Sequence, residues 1–153
     1  MTTEELAARL AELEARVAAL EGAPAPGGAG DAGTVTYGGQ VRLHGEVAWE
    51  IGYDADAVLG LPPAAGVRVL AALGHAVRLE VVRHLLRGPA SVAELVEAVG
   101  GSSSGQLYHH LTTLTGAGVV EADGGGRYRV PATGVVPVLV LLLASADLGG
   151  VLR

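Results

Sequence analysis

Hydrophobic residues recur at the three- and four-residue spacing of amphipathic helices through the second half of the chain. This spacing predicts helices over residues 63–73, 76–87, 91–99, 103–115 and 133–147. Two short strands, at residues 119–122 and 127–130, flank a run of glycines before the last helix. The chain is therefore expected to be mainly α with small β elements, an α+β protein.

The start of the chain combines a heptad pattern with a segment rich in glycine and proline. Within residues 1–21, the apolar a and d positions are Leu6, Leu10, Leu13, Val17 and Leu20. We interpret this helix as a parallel dimeric coiled coil. Because the repeat is short, an amphipathic helix packed on its own domain is the alternative. Residues 22–34 are expected to form a flexible linker.

Apolar and polar residues alternate after the linker and predict a small β-meander extension over residues 35–61. Gly38-Gly39 and His44-Gly45 each suit a two-residue hairpin turn, which predicts two or three strands. A sheet of this size is not stable alone. We therefore expect it to pack on the helical domain of residues 62–153 or on a second subunit.

Residues 91–130 spell a short helix, a glycine turn, a second helix and a hairpin. Ser91 with Glu94, and Ser103 with Gln106, each match a capping box, which fixes where the two helices begin. This order is that of a winged helix-turn-helix, a module that commonly places its second helix in the major groove of DNA.

The second helix of this module carries apolar and polar residues on opposite faces. On a helical wheel, Leu107, Leu111 and Leu114 face inward, and His110 on their flank is expected to be packed and hydrogen-bonded. The N-terminus of the helix, its polar face and the hairpin supply the predicted DNA contacts, which are Ser103, Ser104, Gln106, Tyr108, His109, Thr112, Thr113, Arg127 and Arg129. The helix has no cation, so we expect modest affinity and a shallow salt dependence.

Charge is distributed unevenly along the chain. The net charge is -6, yet residues 1–63 carry three Arg against ten acids, whereas residues 64–153 carry seven Arg against six acids. The acidic excess therefore lies outside the candidate DNA-binding domain, which is weakly basic. The chain has no Cys, so disulfides and thiolate sites are excluded.

Four short segments, in this order, resemble the ArsR/SmtB family of bacterial repressors. They are Leu73–Leu79, Ser91–Leu95, Gln106–Leu111 and Ala117–Val120. The resemblance runs from about residue 70 to residue 148. It implies a homodimer in which the terminal helix packs against its mate, with Val135, Leu139 and Leu142 as the expected contacts.

The same resemblance indicates where metal-sensing members of the family hold their ion. A Cys-x-Cys pair at the first helix of the helix-turn-helix corresponds here to Ser91 and Ala93, and the terminal helix offers Asp147 but no His. Both familiar metal sites lack their ligands. We therefore expect no metal and no other cofactor, and any effector must bind elsewhere.

Two functions remain open. The first is a dimeric, sequence-specific regulator that binds an inverted repeat in double-stranded DNA, with an unidentified protein or small molecule as a candidate effector. The alternative is a protein-interaction or scaffolding module that uses the winged helix as a dimer core and the N-terminal coiled coil for assembly. The acidic N-terminal half and the reading helix without Arg favour this alternative.

Other classes of protein are not expected. No phosphate loop, nucleophile elbow or suitably placed carboxylate pair is present, so an enzyme is not expected. The N-terminus is acidic rather than signal-like, and the longest apolar run is too short to span a membrane. We expect a cytoplasmic protein that does not bind membranes.

Overall fold

The computed structural model describes residues 5–10, 12–13 and 32–153. By their contacts these residues belong to two compact units. The first comprises the described residues up to 37 together with 50–61, and the second comprises 38–49 and 62–153. The domain limits expected from the sequence stay predictions.

The start of the chain is helical wherever the structure describes it. The heptad leucines in this part are all exposed: Leu6, Leu10 and Leu13. The other two expected contacts, Val17 and Leu20, lie outside the described residues. The coiled coil therefore stays a prediction.

Two strands form a small separate sheet, β1 (Thr34–Val41) and β2 (Val47–Asp54). The predicted turn at Gly38-Gly39 is wrong, because both glycines lie inside β1. The chain reverses instead around His44-Gly45, where Gly45 has a φ of 75° and the second predicted turn lies.

The glycine pair inside β1 serves packing rather than reversal. A Cβ atom on Gly39 would lie 3.5 Å from Cγ1 of Val136, in the last helix. That distance is ordinary van der Waals contact, so the bare glycine lets β1 lie close to the helix. Glycine within a strand often marks such a close approach of another element.

A short helix, α1 (Ala55–Leu59), follows β2 directly. Asp54 caps this helix, because its carboxylate accepts a hydrogen bond from the Ala57 N–H at 3.1 Å. The sequence did not predict α1, because five residues are too few to produce a helical periodicity.

The second unit contains the helix-turn-helix and the wing. Its elements are α2 (Pro63–Leu73), α3 (Ala76–Leu85), β3 (Ala90–Ser91), α4 (Val92–Val99), α5 (Ser104–Gly116), β4 (Glu121–Gly124), β5 (Arg127–Arg129) and α6 (Ala132–Leu148). The five helices match the predicted ones to within two residues at each end, which is the usual uncertainty of helix boundaries. The strands form one antiparallel sheet in the order β3-β5-β4.

One helix boundary and one strand in this unit differ from the sequence expectation for a physical reason, and the first wing strand lies two residues later than expected. Helix α3 ends at Leu85 rather than at residue 87, because Gly88, with a φ of 151°, and Pro89 turn the chain away. The strand β3 was not predicted. It has two residues, and it exists because Ala90 pairs with Tyr128 of the wing.

The core of the second unit is aliphatic. The residues with almost no exposed surface are Val81, Val82, Leu95, Leu107, Leu111, Leu114, Val120 and Val136. Helix α5 contributes three leucines to it, and full burial of one such side chain stabilises the fold by about 1.5–3 kcal/mol. The architecture is that of a winged helix-turn-helix, which confirms the predicted fold class. In the part of the chain that is described, no helix is long and apolar enough to cross a membrane.

Two neighbouring residues of α5 test how this helix is held. Leu111→Ala is expected to lower the free energy of unfolding by about 2–5 kcal/mol, since Leu111 is 1 % exposed and its removal leaves a cavity. Thr112→Ala, on the exposed side, is expected to change it by less than about 0.5 kcal/mol. Urea unfolding at one fixed protein concentration measures both, and equal losses would contradict the inward placement of Leu111.

Candidate nucleic-acid interface

Helix α5 presents a polar face because its leucines fix its rotation. Leu107, Leu111 and Leu114 are at most 1 % exposed. The predicted contact residues are accessible: Gln106, Tyr108, His109 and Thr112 are exposed and Thr113 is half-buried, and Ser103 and Ser104 are exposed at the N-terminus of the helix. The structure therefore leaves five of these residues accessible along α5 and the two serines accessible at its N-terminus.

The predicted base reader Gln106 is also part of the helix cap. Ser103 Oγ accepts from the Gln106 N–H at 3.3 Å, and Gln106 Oε1 accepts from the Ser103 N–H at 3.0 Å. This is the capping box expected from the sequence. A bidentate contact to adenine needs both ends of the carboxamide, so such a contact must compete with the cap.

The two threonines on this face use their hydroxyl protons inside the helix. Thr112 Oγ1 donates to the Tyr108 carbonyl at 2.9 Å, and Thr113 Oγ1 donates to the His109 carbonyl at 3.2 Å. Back-bonding of this kind holds each hydroxyl in one rotamer. Both side chains therefore present oxygen lone pairs to the outside.

The first wing arginine, Arg127, is held by neighbouring groups. Its Nη2 donates to the Pro89 carbonyl at 2.6 Å, and its Nη1 lies 3.4 Å from Glu94 Oε2. Hydrogen bonds from Ser91 lower the pKa of the Glu94 carboxyl, and the charge of Arg127 lowers it further. Glu94 is thus ionised at neutral pH and offsets the charge of Arg127.

Arg129 is paired with two acids of the opposite wing strand. Its Nε donates to Glu121 Oε1 at 2.8 Å, and its Nη1 lies 3.1 Å from Asp123 Oδ1. The hydrogen bond to Glu121 raises the pKa of the guanidinium above its usual value, and Asp123 adds to this. Sequence reasoning took this cation as free. The pairing follows from the strand register, in which Glu121 stands opposite Arg129.

Other arginines of the second unit differ in their availability. Arg83 pairs with Glu80 at 2.8 Å, and Arg78 donates to backbone carbonyls at the end of α2. Among the described residues, the exposed side chains of Arg68 and Arg87 make no hydrogen bond or ion pair. The predicted contact set did not include either of them.

His110 differs from its sequence expectation. It is half-buried, as its position on the wheel suggests, but the expected hydrogen bond is absent. Within the described part of the chain, its buried Nδ1 has no hydrogen-bond partner. Its ring instead lies against His75, with centroids 4.8 Å apart, and His109 is 6.2 Å away.

The positions that carry metal ligands in metal-sensing relatives have other roles here. Ser91 caps α4, and Asp147 binds Arg153 through two hydrogen bonds of 2.9 and 3.1 Å. No group of three or more acidic or histidine side chains with metal-binding geometry occurs among the described residues.

The terminal helix α6 is apolar on nearly every side. Its predicted dimer contacts Val135, Leu139 and Leu142 are half-buried and pack against the core of their own chain. More open apolar side chains lie elsewhere on the unit: Leu143, Leu148, Val67 and Leu70 are 60 %, 88 %, 61 % and 61 % exposed. The sequence-based contact set did not include these four residues, because helical periodicity alone does not reveal which apolar positions the core leaves uncovered.

Comparison with known proteins places a family match on this same region. Residues 73–122 match the family model described as a helix-turn-helix domain. The match begins at the last residue of α2 and ends in the first strand of the wing. The comparison with curated proteins found no match.

Three solved structures illustrate what the chain is similar to. One is the homodimeric winged helix-turn-helix DNA-binding domain Mb0332 from Mycobacterium bovis, a possible ArsR-family transcriptional regulator, with 28 % identity over 62 % of this chain and 87 % of that one and a TM-score of 0.48. Rv0081 from M. tuberculosis is 29 % identical over 57 % and 88 %, with a TM-score of 0.47. The transcriptional repressor BigR from Xylella fastidiosa is 27 % identical over 58 % and 92 %, also with a TM-score of 0.47.

The family match and the described fold agree with the resemblance found in the sequence. The two helices of the motif, the wing and the terminal helix all lie where that resemblance predicts them. Residues 73–122 therefore match the helix-turn-helix domain family, and the described elements have the order of a winged helix-turn-helix.

Proposed function

We propose that this protein is a homodimeric transcription regulator that reads double-stranded DNA with α5 in the major groove and the wing on the adjacent backbone or minor groove. The observation that carries the proposal is the polar face of α5, which three fully buried leucines hold outward. Hydroxyl, imidazole and carboxamide groups on a rigid helix are suited to contact base edges and phosphates. Selection from random DNA, followed by gel-shift titration, tests it directly.

The proposed dimer follows from the apolar surface of the second unit. The M. bovis domain is homodimeric, and α6 of this chain carries exposed leucines that water would otherwise surround. A two-fold dimer presents two copies of α5, so the proposed site is an inverted repeat. The N-terminal heptads would add contacts within this dimer or join separate dimers.

The proposed affinity for DNA is modest, and it depends on whether the wing arginines are paired with their own carboxylates or with phosphate. Both wing arginines are engaged with carboxylates, so contact with phosphate must exchange one anion for another. Exposed ion pairs of this kind contribute little stability, which makes the exchange cheap in free energy.

The engaged arginines also favour the second candidate function. A protein-interaction module would use the winged helix as a dimer core, and it would need neither free cations on the wing nor a basic reading helix. The outcome that favours this candidate is one stoichiometric protein partner combined with no DNA binding at low salt.

A matched pair of threonines on α5 tests the reading face. Thr112→Ala together with His109→Ala is expected to lower affinity for the selected site at least about tenfold, because it removes polar contacts to base edges. Thr115→Ala is the control. Thr115 lies on the same helix and makes the same kind of hydroxyl-to-carbonyl bond, at 3.1 Å, but it is half-buried and is not among the predicted contact residues. Equal affinities of the wild type, the double variant and Thr115→Ala in gel-shift titration would refute the assignment of α5 as the helix that reads DNA.

The wing acids provide a second test. Glu121→Gln with Asp123→Asn is expected to raise DNA affinity about tenfold at low salt and to steepen the salt slope by about one, because Arg129 is freed for phosphate. The control, Glu50→Gln with Glu97→Gln, removes the same charge from exposed positions without releasing an arginine. Identical slopes for both double variants would show that net charge, rather than release of Arg129, sets the affinity.

The dimer is tested by mass. Leu143→Glu with Leu148→Glu is expected to yield monomers in light scattering, because it places charges on the apolar surface of α6. Leu59→Glu serves as the control, since Leu59 is 85 % exposed but lies in the other unit. Removal of residues 1–30 then separates the contribution of the N-terminal heptads. A dimer that persists in the double variant would place the interface elsewhere.

A further inference from the structure

Two histidines meet where the turn between α2 and α3 packs against α5. His75 is the N-cap residue of α3, and His110 lies in the middle of α5. Their ring centroids are 4.8 Å apart, and the ring planes are inclined by 44°. The rings line one side of an open pocket that Gln106 and His109 of α5 also border.

The cap made by His75 requires a neutral imidazole. Nδ1 of His75 accepts a hydrogen bond from the Val77 N–H at 3.2 Å. An acceptor Nδ1 carries no hydrogen, so the ring hydrogen is on Nε2 in this state. A second proton would have to add to Nδ1. It would convert the acceptor into a donor and abolish the cap.

His110 also disfavours a positive charge. Its Nδ1 is buried without a partner among the described residues. Burial lowers the pKa of the imidazole, and the positive charges of His75, Arg78 and His109 lower it further. The charged neighbours that act on this ring come from its own helix, from α3 and from the turn before α3, and none of them is a carboxylate.

Arg78 cannot move away to relieve this repulsion without breaking other bonds. Its guanidinium donates to the carbonyls of Ala71 and Ala72, at the end of α2. The cation is therefore held close enough to His110 to act on its charge. Its hydrogen bonds also join α3 to the end of α2.

We propose that His75 and His110 are positioning residues that hold α5 in its DNA-reading position only while both rings are neutral, so that acidification releases the helix and weakens DNA binding. The inference rests on the proposed function for its effect on DNA. The effect of protons on the fold is independent of DNA.

The direction of the pH effect follows from linkage. The pKa of His110 is lower in the folded protein than in the unfolded chain, so the unfolded chain takes up the proton first. Stability is complete above the unfolded pKa of about 6.5 and decreases as the pH falls from there towards the folded pKa. At pH 5.5 one such group changes the unfolding equilibrium constant by at most about tenfold.

The central variant is His75→Asn combined with His110→Leu. Asparagine is a good N-cap residue and preserves an acceptor for Val77, while leucine fills the site of His110 without a titrating group. His84→Asn is the matched control, because it removes one histidine from the exposed side of α3.

For DNA binding, the wild type and His84→Asn are expected to lose about three- to tenfold affinity between pH 7.5 and 5.5, whereas the double variant stays constant or binds more tightly. A loss is diagnostic, because protonation of exposed histidines alone would strengthen binding to phosphates. An equal pH dependence of the wild type and the double variant would overturn the proposal.

Two measurements without DNA keep the proposal separate from the proposed function. Urea unfolding should show a lower midpoint at pH 5.5 than at pH 7.5 for the wild type and His84→Asn, and a smaller change for the double variant. Imidazole NMR signals of the wild type should assign His110 a pKa below the usual histidine value of about 6.5. If DNA binding is absent at every pH but the unfolding and NMR results are as expected, the pH-sensitive contact of His75 with His110 is supported and the proposed DNA function is refuted. A measured pKa of His110 that is not below the usual histidine value would refute this pH-sensitive contact, whether or not the double variant folds.

Discussion

The burial of one stripe of leucines on α5 is the interaction on which the rest of the second unit depends. Leu107, Leu111 and Leu114 pack into the aliphatic core with α3 and α4, and this contact fixes the rotation of α5 about its axis. Every residue on the exposed side takes its direction from that rotation. The polar face, the back-bonded threonines and the position of His110 at the edge of the stripe are all consequences of it.

The positive charges of the wing are paired with carboxylates of the same chain, so binding to phosphate would require an exchange of partners. The second unit is only weakly basic, and its wing arginines lie beside carboxylates from α4 and β4. An arrangement of this kind limits non-specific attraction to any polyanion, because much of the field is cancelled at short range. In the proposed binding mode, discrimination between DNA sequences would then depend mainly on hydrogen bonds made by the polar face of α5.

The helical elements and the leucine stripe could be predicted from the sequence, because long amphipathic segments carry a strong periodic signal. The strand β3 and the helix α1 could not be predicted, because two and five residues are too few to show a periodic pattern of apolar positions. The turn at Gly38-Gly39 was mistaken because glycine marks a close approach as readily as a reversal. The partners of Arg127 and Arg129 depend on strand register and on contact with Pro89 and Glu94, which no local pattern encodes.

The hydroxyl geometry of α5 restricts what its threonines are able to read. The hydroxyl groups of Thr112 and Thr113 donate their hydrogen bonds to the carbonyls of Tyr108 and His109. Each hydroxyl therefore offers only an acceptor to a base. In the major groove, the donors are the amino groups of adenine and cytosine, whereas guanine and thymine offer acceptors at the corresponding edge. In the proposed binding mode, the helix's own backbone would therefore bias the operator towards adenine or cytosine opposite these two residues.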